Sequence, residues 1–207
     1  YIADEPGLGK TIQVVTAADR IGSQRILVVC PASVRGVWTK EFKSEQKTAR
    51  TVVRIDSGAE SNKILTEGPL VCIISYDLAV SDDILGKLKM EKWDLLIFDE
   101  AHYLKGADAA RSQKLIGNGG LAFRAQRHWL TSGTPMPNHI GELWTILRVF
   151  YPAAIYENGK ALDYNNFLEK YCILINDTYG LKVMGHKDLT AFRERLKPFL
   201  LRRTKAE

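Results

Sequence analysis

The sequence predicts an α/β fold: a parallel sheet sandwiched by helices, with a small C-terminal appendage of helix and hairpin. Three observations carry that prediction. Short apolar runs alternate with segments of helical period. A glycine-rich loop, Gly7-Leu8-Gly9-Lys10-Thr11, follows a first short strand and opens a helix. The most apolar run, Trp93 to Phe98, ends abruptly on Asp99-Glu100.

Taken in order, Tyr1 to Ala3 read as the tail of a strand that feeds the glycine loop. A helix follows from about Thr11 to Arg20, with Ile12, Val15 and Val14 or Ala18 for its buried side. Ile26 to Val29 form a strand, and Ala32 to Lys43 a helix entered through Pro31 and capped by Ser33. Val52 to Ile55 and Leu70 to Ile74 are further strands, the second ending at Ser75-Tyr76, and Ser81 to Lys89 is a helix. After the strand at Trp93, a helix over Asp108 to Ile116 stops at Gly117-Asn118-Gly119-Gly120. Gln126 to Thr131 is the next strand, and the helix from Ile140 to Phe150 is ended by Pro152. Beyond Pro152 the pattern changes. Tyr156, Tyr164, Phe167 and Tyr171 crowd together, two apolar stretches between Cys172 and Met184 flank Asn176-Asp177-Thr178-Tyr179-Gly180 as in a hairpin, and a last helix lies near Leu189 to Leu196. The expected division is 1–152 for the sheet and 153–207 for the appendage.

The totals set outer bounds. A chain of 207 residues, 45% hydrophobic and 26% charged, is long enough to bury one sizeable core. Lys and Arg exceed Asp and Glu by 29 to 24, which permits a polyanionic partner without requiring one. The excess gathers at the end, where Lys187, Arg193, Arg195, Lys197, Arg202, Arg203 and Lys205 face only Asp188 and Glu194. A solvated helix face and a phosphate-contacting surface both fit that run. Cys30, Cys72 and Cys172 are far apart and lack C-x-x-C spacing, so neither a disulfide framework nor a zinc site is indicated. The cysteines point to a reducing, intracellular setting, and no membrane partner is expected, because no apolar run approaches the ~20 residues of a membrane span.

The chemistry sits in two places. Read against G-x-x-x-x-G-K-[ST], the stretch Asp4-Glu5-Pro6-Gly7-Leu8-Gly9-Lys10-Thr11 matches at its end, with Asp4 where the first glycine belongs. Its glycines let consecutive N–H groups converge on phosphate oxygens at a helix N-terminus. Lys10 would neutralise the outer phosphates, and Thr11 offers a hydroxyl to Mg²⁺. The plainer alternative is a glycine turn that caps a helix. At the second place, Asp99 can hold Mg²⁺ through its water shell and Glu100 can orient and deprotonate a water for attack on a γ-phosphoryl group. His102, two residues on, can hydrogen-bond to a neighbouring loop. Capping of a helix by Asp99 is the plainer alternative here. Trp38, Trp93, Trp129 and Trp144 lie in or beside periodic apolar runs and are assigned to the core.

Asp-Glu-x-Gly-Leu-Gly-Lys-Thr-Ile-Gln at 4–13, Cys-Pro-Ala-Ser-Val with Trp38 and Glu41, Ile-Ser-Tyr-Asp at 74–77, Asp-Glu-Ala-His at 99–102 and Ser-Gly-Thr-Pro-x-x-Asn at 132–138 follow one another in a distinctive order. In this the chain resembles the Swi/Snf-type ATPases of helicase superfamily 2, and it looks closest to the annealing-helicase or fork-remodelling branch and to bacterial or phage relatives. The likeness continues through Glu142-Leu143-Trp144, Phe150-Tyr151-Pro152, Phe167 with Tyr171-Cys172, and Leu196 to Arg203. Pro6 stands where Met is usual, Pro137 where Gln is usual and Gly106 where Asn is common.

The resemblance implies a RecA-like first lobe of a DNA-dependent ATPase and translocase that remodels protein–DNA complexes or branched DNA. Its cofactors would be ATP and Mg²⁺. ATP would be held by Asp4, Glu5, Gly7, Leu8, Gly9, Lys10 and Thr11, Mg²⁺ by Thr11 and Asp99, with Glu100, Asp99 and Lys10 catalytic. His102, Ser132, Gly133 and Thr134 would couple hydrolysis to nucleic-acid contact, and Pro31, Ala32, Ser33, Ser75, Tyr76 and Asn138 would lie along DNA. The expected partners are double-stranded or branched DNA and a second RecA-like lobe of the parent chain. The piece by itself is expected to be monomeric, truncated at its N-terminus and weakly active, and to work in the cytoplasm of a bacterium or phage host, or in a eukaryotic nucleus. A DNA-binding or interaction module with a degenerate nucleotide site is the alternative. A small-molecule kinase would not need Asp-Glu-Ala-His or Ser-Gly-Thr-Pro.

Overall fold

The computed structural model describes residues 1–106, 109–134, 139–157, 159–177, 180–187 and 189–206. Helix α1 (Lys10–Arg20) follows the glycine loop, and strand β1 (Arg25–Cys30) leads through a 3₁₀ turn (Ala32–Val34) into α2 (Arg35–Glu45). Strand β2 (Thr51–Ile55), a 3₁₀ stretch (Gly58–Leu65), β3 (Leu70–Ser75), α3 (Tyr76–Ala79) and α4 (Asp82–Met90) come next. Then follow β4 (Trp93–Asp99), α5 (Ala110–Ile116), β5 (Ala125–Thr131) and α6 (Leu143–Phe150). The last part carries the strand pair β6 (Tyr156–Glu157) and β7 (Lys160–Ala161), α7 (Tyr164–Tyr171), the hairpin β8 (Cys172–Asp177) and β9 (Gly180–His186), and α8 (Thr190–Leu196).

The five-stranded sheet has the order β2-β3-β1-β4-β5, and every neighbouring pair is parallel. Its three central strands are apolar on both faces because helices cover both. Leu27, Val29, Cys72, Ile74, Leu96 and Phe98 pack with the α3, α4 and α5 side. Ile26, Val28, Val71, Ile73, Leu95 and Ile97 pack with Val14, Val15 and Ala18 of α1 and with Trp38 and Phe42 of α2. Tyr1 to Ala3 do not form a full strand; Ile2 makes isolated parallel bridges to Thr131 on one side and Leu201 on the other. The phosphate-type loop therefore leaves the sheet next to the end of β5.

Two local expectations are corrected, and a third falls outside the described residues. Ile12 is exposed on α1, since the helical period turns Val14, Val15 and Ala18 toward the sheet instead. Ser33 caps nothing: the chain turns through the 3₁₀ segment, in which Val34 N–H donates to Pro31 C=O at 3.1 Å, and α2 begins only at Arg35. Helix α5 is assigned from Ala110; the expected start at Asp108 lies outside the described residues.

A third apolar cluster spans residues 140–196 and joins Leu143, Trp144 and Leu147 of α6 to Ala154, Ile155, Phe167, Tyr171, Phe192 and Leu196. Phe167 is fully buried, with ring centroids of Tyr171 and Phe192 at 4.9 and 5.6 Å. Phe167→Ala is expected to cost about 3–5 kcal/mol, the usual loss for an aromatic deleted from a close-packed site. Chemical denaturation measures it, and a change below about 1 kcal/mol would show that this cluster is not a packed core.

Candidate functional site

Parallel strands send all their C-terminal ends to one edge of a sheet, which is where such sheets bind ligands. Here that edge gathers Pro31 after β1, Ser75 and Tyr76 after β3, Asp99 and Glu100 at the end of β4, and Ser132 to Thr134 after β5. The glycine loop reaches the same edge through the bridge from Ile2 to Thr131.

Gly7 and Gly9 have φ of 92° and 72°, in the left-handed region where a side chain is strained. Gly9 is the N-cap of α1, an 11-residue helix, so the free N–H groups of its first turn lie beside the loop. Lys10 Nζ donates to the carbonyls of Asp4 (2.8 Å) and Glu5 (3.3 Å), which folds the ammonium back over the loop. Thr11 follows in the same turn.

Asp4, predicted as a nucleotide contact, has no exposure at all. Its carboxylate accepts from the Arg203 N–H (2.9 Å), Arg203 Nε (3.1 Å) and Gln13 Nε2 (3.3 Å), and it pairs with the rest of the guanidinium. Burial pushes this carboxyl up, but the Arg203 and Gln13 hydrogen bonds outweigh burial and hold it below the usual aspartate range. The position occupied by glycine in the general pattern is thus a buried anchor. Glu5 and Leu8 act locally, Glu5 accepting from the Lys205 N–H (3.0 Å) and Leu8 C=O from Gln13 Nε2 (2.7 Å).

Asp99 is held by two neutral donors, Thr131 Oγ1 at 2.6 Å and Trp38 Nε1 at 2.8 Å. Burial raises its carboxyl above the ordinary value; these two hydrogen bonds oppose the shift without cancelling it, and the neighbouring Glu100 charge adds to it. Glu100 is, among the described residues, the one non-glycine with positive φ, at 50°. Strain of that kind persists where the surroundings fix it. Ser132 Oγ donates to Glu100 Oε2 at 2.8 Å, and His102 Nδ1 lies 3.1 Å from both Glu100 Oε2 and Ser132 Oγ. A carboxylate only accepts, so Nδ1 carries the proton when it faces Glu100. Ser132 Oγ also accepts from Thr134 N–H at 3.1 Å. Gly133 packs on the glycine loop: a methyl group there would lie 2.9 Å from Pro6 Cγ and 3.7 Å from Lys10 Nζ.

The edge expected to meet nucleic acid is divided. Ala32 and Ser33 are exposed and Pro31 is half-buried. Ser75 and Tyr76 are buried, so their side chains do not face outward as expected. Ser75 Oγ accepts from Leu78 N–H at 3.4 Å and caps α3, while Tyr76 OH donates to Asp99 C=O at 2.9 Å. Asn138 lies outside the described residues. Trp38, Gln13, Thr131 and Arg203 were missed as site residues. For Trp38 the apolar period pointed only to the core, and nothing local pairs Arg203 with a residue 199 positions away.

A glycine loop on a helix N-terminus, folded against an Asp–Glu pair at the end of a parallel sheet, defines a P-loop lobe of RecA-like, helicase type. The chain belongs to the SNF2-related domain family, whose model matches residues 1–207. Similar proteins include Helicase SWR1 of Eremothecium gossypii, 31% identical over 226 residues, and Helicase SWR1 of Saccharomyces cerevisiae, 29% identical over 225. Each match covers 100% of this chain but 15% and 14% of those proteins, so the chain spans about a seventh of their length. Among solved structures, the Pyrococcus furiosus Hef helicase domain aligns with a TM-score of 0.55 at 16% identity, covering 71% of this chain and 32% of that one. The restriction-modification enzyme LlaGI, solved with a DNA substrate mimic, gives 0.53 at 18% identity, covering 65% and 13%. At these identities the likeness is one of fold. Among the described residues no helix is long and apolar enough to cross a membrane.

Proposed function

We propose that this chain is the ATP-binding first lobe of a DNA-dependent ATPase that moves along DNA and remodels protein–DNA complexes or branched DNA. The observation that carries the reading is the triangle of Glu100, Ser132 and His102 set beside the Lys10 loop. It joins the residue suited to activating water to a segment that can report on a bound partner.

In this reading the N–H groups around Gly7 to Lys10 and the Lys10 ammonium bind the β- and γ-phosphates. Thr11 and Asp99 fit Mg²⁺, since Asp99 presents a half-buried carboxylate whose hydrogen-bond partners are uncharged and Mg²⁺ takes few protein oxygens beside phosphate and water. When bound, Mg²⁺ neutralises charge that develops on the phosphates. Glu100 orients a water in line and takes its proton; Ser132 and His102 fix the carboxylate that does so. A second lobe would supply arginines worth ~10³–10⁵ in rate in comparable NTPases. DNA would lie along the edge at Pro31, Ala32 and Ser33, where backbone and small hydroxyls suit phosphates. Ser75 and Tyr76 would support that edge from beneath. The compartment would be the one that holds DNA, the nucleus in a eukaryote.

ATP turnover by the intact protein, measured with and without duplex DNA, tests the proposal. Stimulation of about tenfold or more is expected, since DNA would complete the alignment of groups that transfer a phosphoryl. Equal turnover at saturating DNA would overturn it.

A further inference from the structure

The end of the chain runs back along its beginning. Leu201 N–H donates to Tyr1 C=O (2.8 Å), Ala3 N–H to Leu201 C=O (2.7 Å) and Glu5 N–H to Arg203 C=O (3.1 Å), while Arg202 Nη1 donates to Ala3 C=O (2.8 Å). The pairing is parallel about the isolated Ile2–Leu201 bridge, so residues 201–205 advance in the same direction as the segment that enters the phosphate loop. Thr204 and Lys205 therefore lie at that loop. Arg203 grips the buried Asp4 and also donates through Nη2 to Gln13 Oε1 at 2.6 Å, which ties the first turns of α1 to the same anchor. The Lys205 N–H is taken by Glu5, and the Lys205 ammonium is unpaired among the described residues. It lies over Gly7: a methyl group there would meet Lys205 Cε and Nζ, both at 3.4 Å.

We infer that Lys205 is a second phosphate-binding cation of the nucleotide site, recognising the β-phosphate side of a nucleoside di- or triphosphate, and that Arg203 is a positioning residue for the loop. The inference rests on the nucleotide reading above. Lys10 approaches the phosphates from the helix, with its ammonium shared between two loop carbonyls; Lys205 approaches from the segment 201–205, with its ammonium unshared. Gly7 lies under the Lys205 ammonium, where a methyl group would be in van der Waals contact with it, and its φ of 92° disfavours any side chain. Because Lys205 stands beyond this parallel pairing, bound phosphate would also fix residues 201–205 against the loop.

Equilibrium titration of the intact protein with a fluorescent ADP analogue and the matching AMP analogue tests this. Lys205→Ala is expected to weaken ADP binding about five- to tenfold, the size of one charge-assisted hydrogen bond discounted for exposure. It should weaken AMP binding less, flatten the salt dependence of ADP binding, and be largely rescued by Lys205→Arg. Arg203→Lys keeps the charge but not the fork on Asp4, so ADP affinity should fall at temperatures where circular dichroism shows the protein folded. If Lys205→Ala binds ADP like the wild type while Lys10→Ala does not, the Lys205 inference fails and the nucleotide reading stands. If Lys10→Ala also binds normally, the nucleotide reading itself fails. An Arg203→Lys protein with wild-type affinity removes the positioning role.

Discussion

Glu100→Gln is expected to lower ATP turnover by about 10²–10⁴-fold, the range for losing a positioned general base, while leaving ATP affinity within about twofold. The substitution keeps shape and one carbonyl oxygen, so Ser132 Oγ can still donate to it. What it removes is the ability to take a proton. His102 Nδ1 meets the same Oε2 as Ser132 Oγ, so a carbonyl oxygen in that place keeps both contacts of the triangle. The groups proposed to bind phosphate lie elsewhere, on Gly7 to Thr11, and among the described residues they are not in hydrogen-bond contact with Glu100. Single-turnover hydrolysis beside nucleotide titration separates the two effects. Unchanged turnover would mean a vestigial site and would favour a binding or interaction module.

Lys10→Ala is expected to weaken ATP binding about 100-fold, roughly 2.7 kcal/mol. The ammonium supplies both long-range attraction for the triphosphate and the internal hydrogen bonds to Asp4 and Glu5 carbonyls, so its removal takes away a ligand contact and slackens the loop together. Asp4 would stay anchored by Arg203 and Gln13, and α1 keeps its packing through Val14, Val15 and Ala18. The melting temperature of the nucleotide-free protein should therefore change little. A matching loss of stability and affinity would show that Lys10 acts mainly as a strut.

Much of this architecture was legible in the chain. Leu70 to Ile74 and Trp93 to Phe98 have no polar alternation because both sides of a parallel sheet are covered, and such runs can be little else. The sheet-edge residues were legible for the same reason, since a strand must end where its apolar run does. Side-chain direction at those ends was not. Ser75 and Tyr76 were expected to face DNA, yet one caps α3 and the other reaches the backbone of Asp99, because a residue at a strand end can turn inward or outward without changing the pattern. Trp38 was assigned to the core and is buried there, but its Nε1–H also holds Asp99. An apolar period does not record what a buried polar tip will find.

The sequence by itself determined the order of strands and helices, the glycine loop with Lys10 and Thr11, the acid pair after the most apolar strand, and the family. These are local properties, set by side-chain period, glycine freedom and the spacing of charged groups. Only the tertiary structure decided that Asp4 is an anchor, that Ser132 and His102 meet on Glu100, and that residues 201–205 close over the glycine loop. Each of those depends on contacts across 30 to 200 positions, and no local propensity encodes a pairing at that range. They arise from the parallel sheet, which brings distant strand ends to one edge and leaves their polar groups to satisfy one another there.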